Sequence, residues 1–394
     1  MTTIKNRSSI IIFMAVTFLF WLALYIYVPT LPTYIKTKTE HLSMVGLVLS
    51  MYGLSIAFVR LPIGIFGDMA GRGRPLIILC FFFASVGAII MSKGNTLFML
   101  AVGRAFTGIS MGSWVLLLGT FSTFFDFKQT IFASSMLTFS ASFGRMIGTG
   151  LTGFLNRRGG YPLAFYLSAI LVVIALVIIL FVKDEKKPPK TVSIRTIGNL
   201  LIRKEILLPT IISIIVHHVE ISATYGFLPI LAHKMGANDV IKSMLVTLNI
   251  AAITSANLLN TFLLRKKTPD YMLPAGAFLM FLGIMILAFS PSITYLFIGS
   301  LCNGLSFGIV YPILVGKSIR KIDRSQRSTA MGLHQSMYAI GMFTGPWLSG
   351  ILADRFGIRP MFMINAGAYI VLVYFFIYLF FRGNIRQNKT THIN

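Results

Sequence analysis

One acid stands well inside an apolar run of this 394-residue chain: Glu220, in Val216-His-His-Val-Glu-Ile-Ser-Ala-Thr-Tyr225. A carboxyl buried in an apolar setting can hold a proton and release it on exposure to water. His217, three residues earlier, can share its helix face, and His217 or His218 can assist the transfer. The bland alternative is a static charge partner for an arginine. Zinc needs a further converging ligand that His217, His218 and Glu220 do not supply, so no metal is expected. His334 reads as a hydrogen-bonded core residue. Arg60, Arg104 and Arg145 also lie within apolar runs. An ionised guanidinium there is costly and should face a protein interior with a partner. Arg145 can neutralise an anionic substrate group or pair with Glu220.

The elements that must position these groups are long apolar helices. The chain is 56% hydrophobic and 12% charged, with mean hydropathy +0.80. Soluble domains carry about 25% charged residues. Twelve spans are expected, at about 9–33, 43–66, 75–93, 96–122, 130–154, 162–182, 206–231, 243–264, 271–290, 293–316, 329–352 and 360–381. Each is long enough to cross roughly 30 Å of hydrocarbon, and at that depth the backbone must be helical. The apolar stretch after Lys5 and Arg7 exceeds a signal-peptide core and reads as a retained first span.

The longest polar gap, Lys183–Glu205, holds Asp184-Glu185-Lys186-Lys187-Pro188-Pro189-Lys190. It divides the chain into residues 1–182, a linker 183–205 with a short surface helix around Ile194–Ile202, and residues 206–394. The formal charge of +24 sits in short gaps between apolar runs. That is charge that sets topology, not a nucleic-acid surface. With the N-terminus inside, the inner segments hold 23 Lys and Arg and the outer ones 9. Both termini are therefore expected in the cytoplasm of a multi-pass cell-membrane protein. Cys80 and Cys302 lie in apolar runs with no metal or disulfide spacing.

The halves repeat. At an offset of 197, Gly144, Gly148, Gly153 and Gly160 fall on Gly341, Gly345, Gly350 and Gly357, and Pro32 falls on Pro229. At 196, Gly103, Gly108 and Gly112 fall on Gly299, Gly304 and Gly308.

Between the second and third spans runs Gly64-Ile-Phe-Gly-Asp-Met-Ala-Gly-Arg-Gly-Arg74. This turn resembles the loop between helices 2 and 3 of the major facilitator superfamily. The resemblance covers essentially the whole chain and implies an all-α fold of two parallel six-helix repeats. It also implies a cytoplasmic gate at Gly64, Asp68, Gly71, Arg72 and Arg74. There Asp68 would pair with Arg72 or Arg74 and cap the eleventh span near Ser328, with Arg60 and Asp126 extending the network. The family's basic residue after the acid is Met69 here, and the counterpart around Arg265-Lys266-Lys267 has lost the pattern.

Leu100-Ala-Val-Gly-Arg-Ala-Phe-Thr-Gly-Ile-Ser-Met-Gly112 is similar to the family's fourth-helix motif, whose arginine is tied to proton transfer. That points to Arg104, whose other reading is a buried structural arginine. Gly144, Gly148 and Gly153 resemble the fifth-helix signature of drug:proton antiporters, with departures at Thr149, where the signature has proline, and at Thr152. Generic helix packing is the alternative. Several relatives of that branch keep an acid in the first span, and this chain has none there, which throws coupling onto Glu220. Trp21, Tyr25 and Tyr27 line a cavity or form an aromatic belt, and Asn303 and Gln335 add polar contacts.

The resemblance implies export of a small amphipathic or anionic organic molecule in exchange for protons, by alternating access. Partners would be substrate, protons and lipid, with no cofactor, no nucleic acid and the monomer as family default. A nutrient symporter and a non-transporting membrane sensor are the alternatives. No phosphate cradle, nucleophile turn or metal-spaced cluster marks an enzyme.

Overall fold

The computed structural model describes residues 7–125, 129–182, 194–263, 271–323 and 326–391. Asp126, the segment 184–190 and Arg265-Lys266-Lys267 lie outside the described residues. The described chain is helical, with no strand. We label the apolar helices α1 (Arg7–Lys36), α2 (Leu42–Ala70), α3 (Arg74–Ser92) and α4 (Leu97–Phe124). Thr130–Ile179 is continuous but for non-helical angles at Gly159 and Gly160, and its two arms are α5 and α6. Beyond the linker follow α7 (Lys204–Lys234), α8 (Asp239–Leu263), α9 (Met272–Ala288), α10 (Ile293–Ile319), α11 (Arg327–Phe356) and α12 (Ile358–Thr391).

Among the described residues nine helices are long and apolar enough to cross a membrane, the α5–α6 stretch counting once. α9, with 17 residues, is shorter, and the 30-residue α11 is more polar. Two features of α7 and α1 break regular geometry. Val28–Thr30 is a 3-10 turn between Tyr25 and Leu31, where Pro29 and Pro32 remove backbone donors. Residues Ile221–Phe227 form a π-helical stretch directly after Glu220. The linker helix Ile194–Leu201 packs Leu200 with Leu61, Ile206, Ala330 and Leu333.

The expected repeat is visible in how helices touch. A side chain on Gly144 or Gly148 of α5 would put its Cβ 2.5 Å from Phe18 O or 2.6 Å from Leu22 O of α1. Their repeat mates Gly341 and Gly345 of α11 meet Ile214 O and His218 O of α7 in the same way. Gly87 and Gly103 join α3 to α4, and Gly283 and Gly299 join α9 to α10. Across the middle of the molecule, Gly153 of α5 meets Asp239 and Val240 at the start of α8. Gly350 of α11 meets Leu42 and Ser43 at the start of α2, 197 positions away on each side. In lipid such small-residue seams replace the hydrophobic drive between helices.

Gly148→Ala should destabilise the chain by about 1–3 kcal/mol, because the new methyl meets a backbone carbonyl that cannot move alone. Gly367 has nothing near its Cβ position, and Gly367→Ala should be neutral or slightly stabilising. Thermal unfolding of both variants in one detergent is the comparison; equal melting temperatures would show that the α1–α5 seam does not depend on close approach.

Candidate substrate and proton site

A cavity lies between α1, α2, α4, α7 and α11. Tyr25, Tyr52, Arg104, Tyr225, Gly226 and Met342 are among its walls. Its volume is about 40 Å³, room for a few waters only. Tyr25 and Tyr225 meet edge to face, ring centroids 6.2 Å apart, and so join α1 to α7 across it. The seams just described hold these walls in place: Gly108 lets α4 approach the Tyr52 carbonyl of α2.

Arg104 is 8% exposed and its guanidinium lies 4.4 Å from the Tyr52 ring centre. Arg145 does not line the cavity but borders it. Its guanidinium stacks over Trp21 at 5.0 Å and over Tyr25 at 5.8 Å, and it donates to Ser142 Oγ at 2.9 Å. Trp21 is one turn from Tyr25, packed edge to face on Trp114 rather than facing the cavity. Arg60, 3% exposed, donates to Tyr338 Oη at 2.6 Å. Among the described residues no acid forms an ion pair with Arg60, Arg104 or Arg145. The pairing of Arg145 with Glu220 is therefore not made; the indole and phenol faces take the guanidinium instead.

Glu220 is 1% exposed, on the α8 side of α7. Asn249 and Thr224 are its polar neighbours, and neither carboxyl oxygen has a hydrogen bond of ordinary geometry. It does not line the cavity, yet Ile221, Tyr225 and Gly226 of the π-helical stretch that follows it do. His217 is directed elsewhere. Its Nδ1 contacts Ser213 O at 2.8 Å, and its ring stacks on Tyr338 at 4.0 Å with Phe307 and Tyr311 around it. Three residues of spacing suggested a shared face, but the aromatic box outcompetes the carboxyl for the imidazole. His334 is hydrogen-bonded to Thr210 and Ser213 in the core. Asn303 is not at the cavity either. It fills the space left by Gly283 between α9 and α10, with its amide unpartnered.

The two faces of the molecule differ. At the face carrying the chain ends, α2 stops at Gly71, whose φ of 64° turns the chain and whose N–H bonds Gly67 O. Only glycine adopts that angle at little cost. Asp68 and Arg72 are exposed, and among the described residues Asp68 makes no ion pair or hydrogen bond. Arg74 instead donates to the carbonyls of Leu180 and Val182, at 3.2 and 2.6 Å. Those carbonyls end α6 and lack partners within it. Gly64 packs near Val115 of α4.

At the opposite face the halves are tied twice. Asp354, at the end of α11, accepts from the N–H groups of Leu42 and Ser43 at 2.6 and 2.8 Å, capping α2. Partial burial alone would raise the Asp354 carboxyl, but hydrogen bonds from Ser43 and Leu42 outweigh it and hold the group below the ordinary carboxylate value. At the second tie, Asn156 of α5 donates to Asp239 Oδ2 at 2.8 Å and to Thr30 Oγ1 at 2.9 Å. Asp239 pairs with the buried Lys242 at 2.5 Å, and Lys242 reaches Thr33 Oγ1 of α1 at 3.2 Å. Sequence reasoning missed both ties. A signal for one was present: an acid in the last turn of a helix opposes that helix's own dipole, so it serves another.

A family model described as Major Facilitator Superfamily matches residues 13–216 and 210–392. An uncharacterised MFS-type transporter of Methanocaldococcus jannaschii is 24% identical over 380 residues, covering 92% of this chain and 95% of its own. Multidrug resistance protein 1 of Bacillus subtilis is 22% identical over 362 residues, 89% of this chain and 91% of that one. The crystal structure of the D323A mutant of the nucleoside transporter NupG superposes with a TM-score of 0.79 at 15% identity, covering 95% of this chain and 100% of that one.

A carboxyl whose value is depressed by bonds in the closed form stabilises that form at neutral pH. The contribution is lost only as pH falls through the lowered value, below about pH 4. Asp354→Ala should remove it at every pH. In a chain lacking Cys80 and Cys302, Leu49→Cys in the cavity wall should then react several-fold faster with an impermeant maleimide applied from that face. An unchanged labelling rate would show that the cap does not hold the face shut.

Proposed function

This chain belongs to the major facilitator superfamily, a family of membrane transporters and not of enzymes, and from that premise we propose that it is a proton-coupled exporter of a small organic molecule. Twelve crossings, grouped as residues 1–182 and 206–394 about the linker, would rock around the cavity. Both termini would lie in the cytoplasm, and the monomer would be the working unit in the cell membrane.

The observation that carries the coupling is the position of Glu220. It is a buried acid without a salt bridge, its carboxyl beside Asn249 and Thr224, and the π-helical stretch beginning at the next residue supplies three cavity walls. π-helical stretches recur at functional sites in helices. A change in the charge of Glu220 has a short mechanical route to Tyr225. Arg104 lies on the far wall, placed to feel the same event. Export is supported by the likeness of Gly144, Gly148 and Gly153 to the antiporter signature and by the similarity to multidrug resistance protein 1 of Bacillus subtilis.

The two ties at the opposite face and the unpaired, exposed Asp68 support a form closed outward with the Asp68 gate unengaged, while Arg60 on Tyr338 and Leu61 against Gly332 still join α2 to α11 on the inner side. In the other state Asp68 would engage the start of α11, and the ties would part. Only a ligand or proton that binds the two states differently shifts the balance between them.

Comparing compounds retained by cells with and without the protein identifies the cargo. In everted vesicles a proton gradient should drive that compound inward, and a protonophore should collapse its uptake. Accumulation only in right-side-out vesicles would replace export with import. Glu220→Gln should lose gradient-driven accumulation, by tenfold or more, while compound-for-compound exchange continues; full accumulation in this variant would remove Glu220 as carrier. Asp68→Asn should leave the form shown here favoured, seen as slower labelling of Leu49→Cys from the outer face in the presence of cargo. Equal rates in variant and parent would count against the gate.

A further inference from the structure

The charge around the cavity is one-sided. Arg104 lines it, nine-tenths buried, with Nε lacking any hydrogen-bond partner. Arg145 borders it behind Tyr25, again with Nε unpartnered. Among the described residues neither guanidinium is ion-paired. The acid deepest in the apolar runs, Glu220, is not a wall of the cavity. Buried ionised groups inside a membrane protein normally pair with one another. Here the faces of Tyr52, Trp21 and Tyr25 stand in for the missing anion. A ring face offsets only part of what burying a guanidinium costs, and it leaves Nε–H of each arginine without a partner. A cation entering this cavity would find positive charge and no carboxylate. A neutral molecule could accept from these N–H groups but would leave the buried charge uncompensated.

The rest of the lining states what the remainder of the molecule looks like. Three tyrosines, Tyr25, Tyr52 and Tyr225, present ring faces or edges, and Met342 adds a polarisable thioether. Such walls suit a flat aromatic body.

We propose that the cavity binds an aromatic organic monoanion of the carboxylate class. Arg104 takes the carboxylate through its N–H fork, Arg145 supplies a second positive charge, and the tyrosines clasp the ring. Arginine is suited to this task because its planar donors match a carboxylate in pairs. The cavity in the form shown here admits only a few waters, so the ring enters from the more open form and the walls close on it. Charge selection by Arg104 deepens the transport reading, since it rests on this cavity being the cargo site. It needs no proton gradient, however, and equilibrium binding tests it separately from coupling.

The purified full chain in detergent is titrated with 2-naphthoate, 2-naphthamide and 2-naphthylmethylammonium, which share one ring system and carry charges of about −1, 0 and +1. Calorimetry should show naphthoate at least tenfold tighter than both others. Arg104→Gln should weaken naphthoate by tenfold or more and erase its advantage over the amide, while Arg104→Lys should recover part of it. Lys93→Gln, which removes an exposed cation, should change nothing. If Arg104→Gln does not fold, Arg145→Gln takes its place, with a smaller loss expected. The amide or the ammonium binding as tightly as naphthoate would overturn the proposal. So would no binding by any of the three, or inorganic phosphate binding as well as naphthoate. Those results would leave gradient-driven transport in vesicles, and with it the exporter reading, untouched.

Discussion

In hydrocarbon a helix gains little by turning leucines toward another helix, because lipid is just as apolar. Contact must come from backbones that approach closely, and in this chain glycine provides it. Gly144 and Gly148 seat α5 against the carbonyls of α1, and Gly341 and Gly345 seat α11 against those of α7. Everything nearer the site follows from these seams. They hold Tyr25 of α1, Tyr52 of α2 and Tyr225 of α7 around one small cavity, and they fix the approach of α4 that delivers Arg104 to it.

Between the halves the same device is used with a difference. Gly153 and Gly350 occupy equivalent places and bring α5 to α8 and α11 to α2, but each contact is backed by polar groups rather than apolar ones. One tie is a carboxylate on two backbone N–H groups; the other is a small network of Asp239, Lys242, Asn156, Thr30 and Thr33. Hydrogen bonds of this kind exchange readily with water. The halves also meet backbone to backbone, where Gly46 and Gly53 of α2 seat against Pro346 and Met342 of α11, and Lys242, Thr30 and Thr33 of the second tie are themselves buried.

The interior is poor in acid and rich in guanidinium. Three arginines are held by aromatic faces, a tyrosine hydroxyl and a serine. The carboxyl of Glu220 is left alone on the other side of the π-helical stretch. Keeping the acid and the bases apart preserves both: had Glu220 met Arg145, each would have neutralised the other, and neither would be available to a proton or to a ligand.

Much of this was legible in the residues. Apolar runs of about twenty dictate helices, because hydrocarbon leaves a backbone no other way to satisfy its N–H and C=O groups. The offset of 196–197 is a property of the one-dimensional chain, and its glycines marked the seams before any contact was known. The turn at Gly71 was readable too, since a positive φ there calls for glycine. Direction around a helix axis was not. His217 and Glu220 share a spacing that allows one face, yet the first goes to Tyr338 and the second toward Asn249, groups that other helices bring up. Asn303 turned into the gap at Gly283 and Trp21 onto Trp114 for the same reason. The π-helical register after Glu220 has only Pro229 beyond its end to announce it, the repeat mate of Pro32. Sequence determined which groups must leave water and along which helices they lie. Tertiary structure alone decided which of them meet, because partners are chosen by geometry across helices and not by distance along the chain.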